Sequence, residues 1–281
     1  MKYQKLSFAF SLLAVLLVLT SSYTPLPANG SEEKKVMITT DMGIIKIKLY
    51  NETPLHRDNF LKLVKQHYFD SLLFHRIIQN FMIQGGDPDS KNAKPEAELG
   101  NGGPAYTIPA EINPKLFHKK GVLAAARDSD WDNPMQASSG SQFYIVQGKI
   151  HNDSTLDFMS NRITKMMLMN VLMNKPENSH LLKKYKEFNK AEKADSIKSL
   201  QSELKAMAEA ELPKVAKHKF TPDQIQAYKT IGGTPHLDRS YTVFGEVYEG
   251  LDVLDKIAAV ECGENDRPKK DVRILSITVV K

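Results

Sequence analysis

The fold of this chain is best approached from residues 74–87, which are Phe74-His75-Arg76-Ile77-Ile78-Gln79-Asn80-Phe81-Met82-Ile83-Gln84-Gly85-Gly86-Asp87. This segment places one arginine, Arg76, among large apolar side chains and continues to the amide Gln84 and two glycines. An arginine held against apolar surface is unfavourable unless its guanidinium has hydrogen-bond partners. Two interpretations follow. Either Arg76 acts on a substrate, or it lies on a strand and is held by a structural carboxylate.

Two later segments extend the pattern. The first segment consists of two runs, Ala124-Ala125-Ala126-Arg127 and Ala137-Ser138-Ser139-Gly140-Ser141-Gln142-Phe143-Tyr144-Ile145-Val146. The second segment is Leu237-Asp238-Arg239-Ser240-Tyr241-Thr242-Val243-Phe244-Gly245-Glu246-Val247. Together with residues 74–87 they resemble the cyclophilin family of peptidyl-prolyl cis-trans isomerases, in which the FHRII, GSQF and VFG patterns occur in this order. The resemblance covers roughly residues 34–157 and 235–281.

Alternating and helical patterns indicate the fold class. Ile45, Ile47 and Leu49 alternate with lysines, which is typical of a strand with one buried face. Thr53-Pro54 is a typical helix start, and a second short helix is expected at 251–259. Many strands with two helices favour a capped barrel. The resemblance implies a mainly β fold, a closed eight-stranded β-barrel capped by two helices, here with an inserted α-helical segment.

The insertion differs in composition from the rest of the chain. Methionine and leucine recur there among lysine, glutamate and alanine, and β-branched residues are few, which favours helices. Pro176 and Pro213 are expected to divide the segment into separate helices. The methionines either pack the helices together or form a flexible apolar groove for unfolded clients. We expect residues 158–230 to be removable with a short linker.

These patterns define a domain organisation. We place a signal peptide and linker at 1–30, the first part of the cyclophilin-like barrel at 31–157, the helical insertion at 158–234 and the last part of the barrel at 235–281. The loop 128–135 is long and carries Trp131, the only tryptophan. Trp131 either extends a peptide groove or covers the end of the barrel.

The N-terminal segment predicts export. Lys2 and Lys5 precede the charge-free, mostly apolar run from Phe8 to Leu19, and small and polar residues follow. This order is typical of a secretory signal, and the run is short for a membrane span of about 20 residues. We therefore expect an exported protein, periplasmic or secreted. Membrane attachment is expected only if the signal remains as an uncleaved anchor.

Composition excludes several classes of function. The 281 residues are 41% hydrophobic and 25% charged, with a net charge of +5 whose signs are interspersed, so nucleic-acid binding is not expected. Cys262 is the only cysteine and forms no intramolecular disulfide. The histidines lack metal-ligand spacing, and Ser141 is not in a nucleophile elbow. We expect no metal, no cofactor and a monomer.

The chemistry of prolyl isomerisation suits an arginine. Rotation about a peptide bond faces a barrier of about 18–20 kcal/mol, and an enzyme turning over near 10³ per second must lower it by roughly 6–7 kcal/mol. The twisted transition state loses amide resonance, so the prolyl nitrogen regains a basic lone pair. A charged donor directed at that nitrogen stabilises the twisted state over both planar states. No covalent step is required.

The resemblance assigns roles to individual residues. It implies that Arg76 is catalytic together with Gln84 and Phe81. It implies that substrate is bound by His75, Met82, Ala126, Arg127, Gln142, Tyr144, His236, Leu237 and Tyr241. Met82 and Tyr144 match walls of a proline pocket, and Ala126 and Arg127 match a strand that pairs with the bound peptide.

The chain departs from the family at four of these positions. Many eukaryotic members have Asn, Trp and His where Arg127, His236 and Tyr241 stand, and Phe is frequent at the position of Tyr144. The expected partners are proline-containing peptides and unfolded protein clients. The alternative function is a proline-binding chaperone or holdase with little catalytic activity.

Overall fold

The computed structural model describes residues 32–280, so the predicted signal segment 1–30 lies outside the described residues. Ten strands are present in this part of the chain: β1 (Lys35–Thr40), β2 (Gly43–Leu49), β3 (Arg76–Ile78), β4 (Met82–Gly85), β5 (Thr107–Ile108), β6 (Val122–Ala125), β7 (Ser138–Ser139), β8 (Phe143–Val146), β9 (Val243–Glu249) and β10 (Ile274–Val280). The α-helices there are α1 (Pro54–Lys65), α2 (Asp153–Met173), α3 (Ser179–Lys190), α4 (Ala194–Glu211), α5 (Pro222–Thr230) and α6 (Leu251–Ala258).

Eight of the strands form one antiparallel curled sheet in the order β10-β1-β2-β9-β6-β8-β4-β3. Its edge strands approach each other just before β3 and β10, where Leu73 and Arg273 form an isolated bridge and the Phe74 amide donates to the Val272 carbonyl at 2.9 Å. The predicted mainly β fold of eight strands is therefore confirmed. The sheet is a half-barrel rather than a barrel closed by a continuous ladder.

The main core lies on the inner face of this sheet. Ile45, Ile47 and Leu49 are fully buried there, which confirms the alternation expected for β2. The two capping helices contribute apolar stripes to the same core, α1 through Phe60, Leu63 and Val64 and α6 through Leu254, Ile257 and Ala258.

A second apolar cluster lies on the outer face. Successive side chains of a strand point to opposite faces, and residues paired across strands share a face. Arg76 pairs with Gln84, and Gln84 pairs with Tyr144, so these three side chains form one row on the outer face. The cluster around them, called here the outer cluster, contains Met82, Val122, Ala124, Tyr144, Val146 and Val243, with Phe81, Ala126, Leu237 and Tyr241 at its edge.

The inserted segment is helical and has a core of its own. Helix α2 begins at Asp153, where Asn152 and Thr155 form a capping box. Leu172, Met173, Leu181, Tyr185, Leu200, Leu204 and Ala208 from α2, α3 and α4 form a buried cluster with Trp131. Trp131 is 8% exposed, and its ring lies 5.3 Å from that of Tyr185. The long loop therefore packs against the insertion, and Met173 is a packing residue.

Helix α5 is joined tightly to the barrel. Tyr228 of this helix is fully buried. After it, Gly233 forms bridges with Lys119 and Lys149, and a Cβ atom at Gly233 would lie 2.2 Å from the His118 carbonyl oxygen. Only glycine permits that approach. Among residues 32–280, none of the helices combines the length and apolar character needed to cross a membrane.

Candidate active site

Arg76 lies at the edge strand β3 with its guanidinium beside a carboxylate. Its Nε and Nη2 atoms both lie 3.1 Å from Oδ2 of Asp266, which belongs to a short turn at Glu264–Asp266. The two side chains are 40% and 43% exposed. The structural interpretation of Arg76, a strand residue held by a carboxylate, thus describes one of its contacts. The guanidinium nevertheless remains accessible to a ligand.

Two cavities meet at Gln84, and Arg76 lines the larger of them. The larger, of about 1020 Å³, is lined by His75, Arg76 and Gln84 and by loops at 95–101 and 263–271. The smaller, of about 260 Å³, is lined by residues that include Gln84, Ala126, Arg127 and Gln142. Gln84, Gly100 and Asn101 line both cavities, so Gln84 lies where the two cavities adjoin.

Hydrogen bonds between amide side chains hold Gln84, the middle residue of the row. Gln84 lies opposite Arg76 on β4, but its Nε2 donates to Oε1 of Gln142 at 3.0 Å. Gln142 Nε2 in turn donates to the carbonyl oxygens of Gly100 and Gly102, both at 2.8 Å. The fully buried Asp87 accepts from the amides of the same two glycines. These bonds fix the loop that separates the two cavities.

The residues assigned to the proline pocket lie together in the outer cluster. Met82 and Tyr144 are 2% and 4% exposed, and Phe81, Leu237 and Tyr241 pack at their edge. His236 stacks on Phe81 with the ring centroids 5.5 Å apart. Burial lowers the pKa of His236 to about 4, so this ring is neutral near pH 7.

The Arg127 side chain packs against Tyr241 at the edge of the outer cluster. Its side chain is only 5% exposed; Nε donates to the Ser240 carbonyl at 2.8 Å and Nη1 lies 2.7 Å from Asp130 Oδ1. The guanidinium also lies 4.5 Å from the centre of the Tyr241 ring, at a distance suited to a cation–π contact. Ala126 uses its backbone within the fold, because its amide donates to Gln142 and its carbonyl accepts from Ser139. The Arg127 side chain is therefore bonded within the fold and lies behind Tyr241.

Four residues of the site did not emerge as candidates from the sequence. Asp266 contacts Arg76, Asp87 organises the loop at Gly100, and His118 and Asp238 lie behind Tyr144. Asp87 and Asp238 are within the quoted motifs, so their burial could have been suspected there. Nothing in the local sequence marks Asp266 or His118. Among the described residues, no three His, Cys, Asp or Glu side chains are grouped as a metal site would need.

Most of the chain matches one known protein family. The model of the family described as cyclophilin type peptidyl-prolyl cis-trans isomerase/CLD matches residues 35–166 and 158–279. The chain belongs to this cyclophilin family. Its membership identifies it as a peptidyl-prolyl cis-trans isomerase, and the outer cluster with Arg76 is where the cyclophilin motifs converge.

Similar proteins agree with this cyclophilin assignment. A protein of Staphylococcus saprophyticus named as a peptidyl-prolyl cis-trans isomerase is 28% identical over 254 residues, which are 90% of this chain and 94% of that protein. A protein of Streptococcus pyogenes named as a bifunctional phosphatase/peptidyl-prolyl cis-trans isomerase is 31% identical over 248 residues. These are 87% of this chain, but the chain spans only 38% of that relative.

A solved structure shares the fold. The crystal structure of a cyclophilin type peptidyl-prolyl cis-trans isomerase from Cryptosporidium parvum aligns with a TM-score of 0.51 and 18% identity, covering 89% of this chain and 99% of that one. At this level of identity, the likeness supports the cyclophilin fold alone.

The contact between Arg76 and Asp266 leads to a prediction about activity. The carboxylate occupies donors of Arg76, and an exposed ion pair is worth about 0.2–1 kcal/mol, so Asp266→Asn should raise kcat/KM by about 1.4-fold to five-fold at low ionic strength. Added salt should bring the wild type towards the variant. Glu264→Gln, in the same turn, is the matched control and should change little. A lower kcat/KM for Asp266→Asn would show that the carboxylate holds Arg76 in its productive orientation.

His75 leads to a prediction about stability. Its ring is 3% exposed, has no hydrogen-bond partner, and is buried so that its pKa falls from 6.5 to about 4. The unfolded chain therefore binds a proton at higher pH than the folded chain, and stability should fall as the pH falls from about 6.5 to about 4, by about 3 kcal/mol from this residue.

Chemical denaturation across that pH range tests the effect of His75. The variant His75→Gln should show a shallower loss of stability on acidification than the wild type. The control is His67→Gln, which removes a histidine whose side chain is 73% exposed. Equal slopes for all three proteins would contradict the prediction.

Proposed function

We propose that this cyclophilin catalyses X–Pro isomerisation by stabilising the twisted amide with Arg76 while the outer cluster holds the prolyl ring. The observation that carries the proposal is a half-exposed guanidinium in the same row as Gln84 and Tyr144, on one face of the sheet. A charged donor there can interact with the lone pair that develops on the prolyl nitrogen only in the transition state.

Apolar surface beside the guanidinium supports this role. Met82, Phe81, Leu237 and Tyr241 offer a site for a ring that carries no amide hydrogen. Gln84 lines both cavities and is held by Gln142, so one amide side chain is fixed where the backbone of an extended peptide would pass. Binding of the ring and the backbone on either side of the bond would leave only the bond itself free to rotate.

The clients we propose are exported or unfolded proteins, and the location we propose is the periplasm or the cell exterior. The support is the order of charged, apolar and small residues in the first 30 positions. We propose that the protein acts as a monomer on proline-containing segments of such chains. An uncleaved signal would instead attach it to the membrane.

A chaperone or holdase with little catalytic activity is the second candidate. The observation that favours it is the helical insertion, which adds an apolar-rich body beside a proline-binding surface. Exposed Phe158 and Val171 on α2 are the apolar side chains that such a body would offer to a client.

An isomer-exchange assay on a short X–Pro peptide separates the two candidates. An isomerase accelerates the exchange at catalytic concentration, and the rate is proportional to the amount of enzyme. A holdase suppresses aggregation of an unfolded protein at stoichiometric concentration without accelerating the exchange. Binding of the peptide without any acceleration would overturn the proposed catalytic function.

A further inference from the structure

A buried chain of hydrogen bonds connects the proline pocket to the inserted helix α5. The Tyr144 hydroxyl lies 3.0 Å from Nε2 of His118, and Nδ1 of His118 lies 2.9 Å from Oδ1 of Asp238. The Tyr228 hydroxyl donates to Oδ2 of Asp238 at 2.6 Å. All four side chains are at most 4% exposed, so water does not compete for these bonds.

The roles of the atoms in this chain follow from their chemistry. An ionised carboxylate only accepts, so His118 Nδ1 and the Tyr228 hydroxyl donate to Asp238. Nε2 is then the ring nitrogen of His118 that remains for the bond to the Tyr144 hydroxyl. Burial raises the pKa of Tyr144 and of Tyr228 well above the usual value, which keeps both hydroxyls protonated as donors. The two hydroxyls can thus both donate within this series of hydrogen bonds.

The rings at the pocket end depend on that arrangement. His118 stacks on Tyr144 with an angle of 13° between the rings and a centroid distance of 6.1 Å. The edge of the same imidazole meets Tyr241 at 6.3 Å, and Tyr241 meets Tyr144 at 5.9 Å. A change in the position of His118 would therefore move two of the rings assigned to the proline pocket.

At the other end, the Tyr228 ring is held independently of its hydroxyl. It packs edge-on against Phe117, His151 and Phe220 with centroid distances of 5.5, 6.1 and 5.7 Å. Removal of the hydroxyl alone would keep these contacts and leave one oxygen of Asp238 without this donor. The two functions of Tyr228, packing and hydrogen bonding, can thus be separated by a single substitution.

We propose that Tyr228 is a positioning residue for the proline pocket, and that through Asp238 and His118 it fixes the ring of Tyr144. The inserted segment thereby contributes to the affinity of the pocket for prolyl peptides without touching them. This inference rests on the proposed isomerase function for its kinetic consequence. It rests on the hydrogen-bond chain alone for its structural consequence.

The kinetic test is Tyr228→Phe in the full-length protein. The pocket binds the prolyl ring in the ground state and in the transition state alike, so KM for a short X–Pro peptide should rise about two- to ten-fold with kcat nearly unchanged. The Tyr144→Phe variant already lacks the hydrogen bond to His118 at the pocket. Adding Tyr228→Phe to that variant should therefore cause no further change in KM. Independent, multiplying effects in the double variant would overturn the proposal.

The matched control is Tyr185→Phe. Tyr185 also belongs to the insertion, and its hydroxyl also donates to a carboxylate, Oδ1 of Asp132, at 3.0 Å, but Asp132 is an exposed residue of the loop that carries Trp131. Tyr185→Phe should change the melting temperature without changing KM. If Tyr228→Phe behaves in the same way, its hydroxyl is structural and the proposal fails.

A spectroscopic test does not depend on catalysis. In protein labelled at tyrosine, the ring signals of Tyr144 should shift in Tyr228→Phe and stay in place in Tyr185→Phe. If the wild type fails to accelerate isomerisation, the proposed function fails while this comparison still decides the role of Tyr228. If Tyr228→Phe does not fold, Asp238→Asn breaks the same link, and unchanged Tyr144 signals in that variant would overturn the proposal.

Discussion

Arg76→Ala should lower kcat/KM for a short X–Pro peptide by about 10²–10³-fold, which corresponds to a loss of about 2.7–4 kcal/mol in the transition state. The guanidinium is the charged donor in the row formed with Gln84 and Tyr144, and no covalent step can substitute for it. The loss should appear mainly in kcat, because the interaction with the prolyl nitrogen strengthens only as the amide twists.

The fold should survive this substitution. Arg76 is bonded through its side chain to Asp266 in an exposed turn, and an exposed pair contributes little to stability. The melting curve of Arg76→Ala should therefore match that of the wild type. Arg76→Lys is the matched variant, since it keeps the charge but loses the planar fork of donors, and it should recover only part of the activity. Activity of Arg76→Ala within a few-fold of wild type would remove Arg76 from its role.

The second large effect is expected from deletion of residues 158–230, for which a shorter deletion is the comparison. Removal of residues 158–230 takes away Tyr228, which is fully buried in contact with the barrel, together with the buried Ile163 of α2. Loss of one large buried aromatic side chain typically costs about 3–5 kcal/mol, against a total stability of about 5–15 kcal/mol. The variant without residues 158–230 should not unfold cooperatively, and it should lack isomerase activity.

A shorter deletion should be tolerated. The amide of His218 donates to Oγ1 of Thr164 at 2.8 Å, so the chain on either side of residues 167–215 is already close together. Joining it with a short linker removes α3, α4 and the end of α2, while Tyr228 and its contacts remain. Trp131→Ser in the same protein avoids leaving an indole exposed. Peptide isomerisation should be retained, because loop closure changes little with length.

The client role of the insertion is measured with the shorter deletion. Catalysed refolding of a proline-limited protein should fall relative to peptide isomerisation if the helices hold extended chain near the pocket. Equal retention of both activities would contradict a role in client binding. An unfolded product would show that the helical core also supports the barrel.

Much of the fold could be predicted because its signals are local. The alternation in β2 predicted one buried face, and Ile45, Ile47 and Leu49 are fully buried. Pro176 and Pro213 lie in 3₁₀ turns at helix ends, where a missing amide hydrogen is tolerated. Cyclophilin motifs assigned Arg76 and Gln84 to one site, and these two residues pair directly in the sheet.

The remaining features of the site and of the insertion depended on contacts between residues that are distant in sequence. Asp266 is 190 residues from Arg76 and reaches it through a turn in which Asn265 and Asp266 have φ of 56° and 60°, a conformation that asparagine and aspartate tolerate better than most residues. Helical composition predicted the insertion, but the face of α5 that meets the barrel is set by Gly233 against His118. The expectation that the whole segment 158–230 can be removed took no account of Tyr228, whose fully buried side chain lies within that segment.

The position of Trp131 decides what an optical experiment on this protein reports. It is the only tryptophan, and it is buried among the helices α2, α3 and α4 rather than in the sheet. Intrinsic tryptophan emission therefore reports whether the helices α2, α3 and α4 are folded around Trp131. The tyrosines of the outer cluster report on the pocket. A denaturation curve recorded by indole emission alone would assign to the whole molecule a transition that belongs to one part of it.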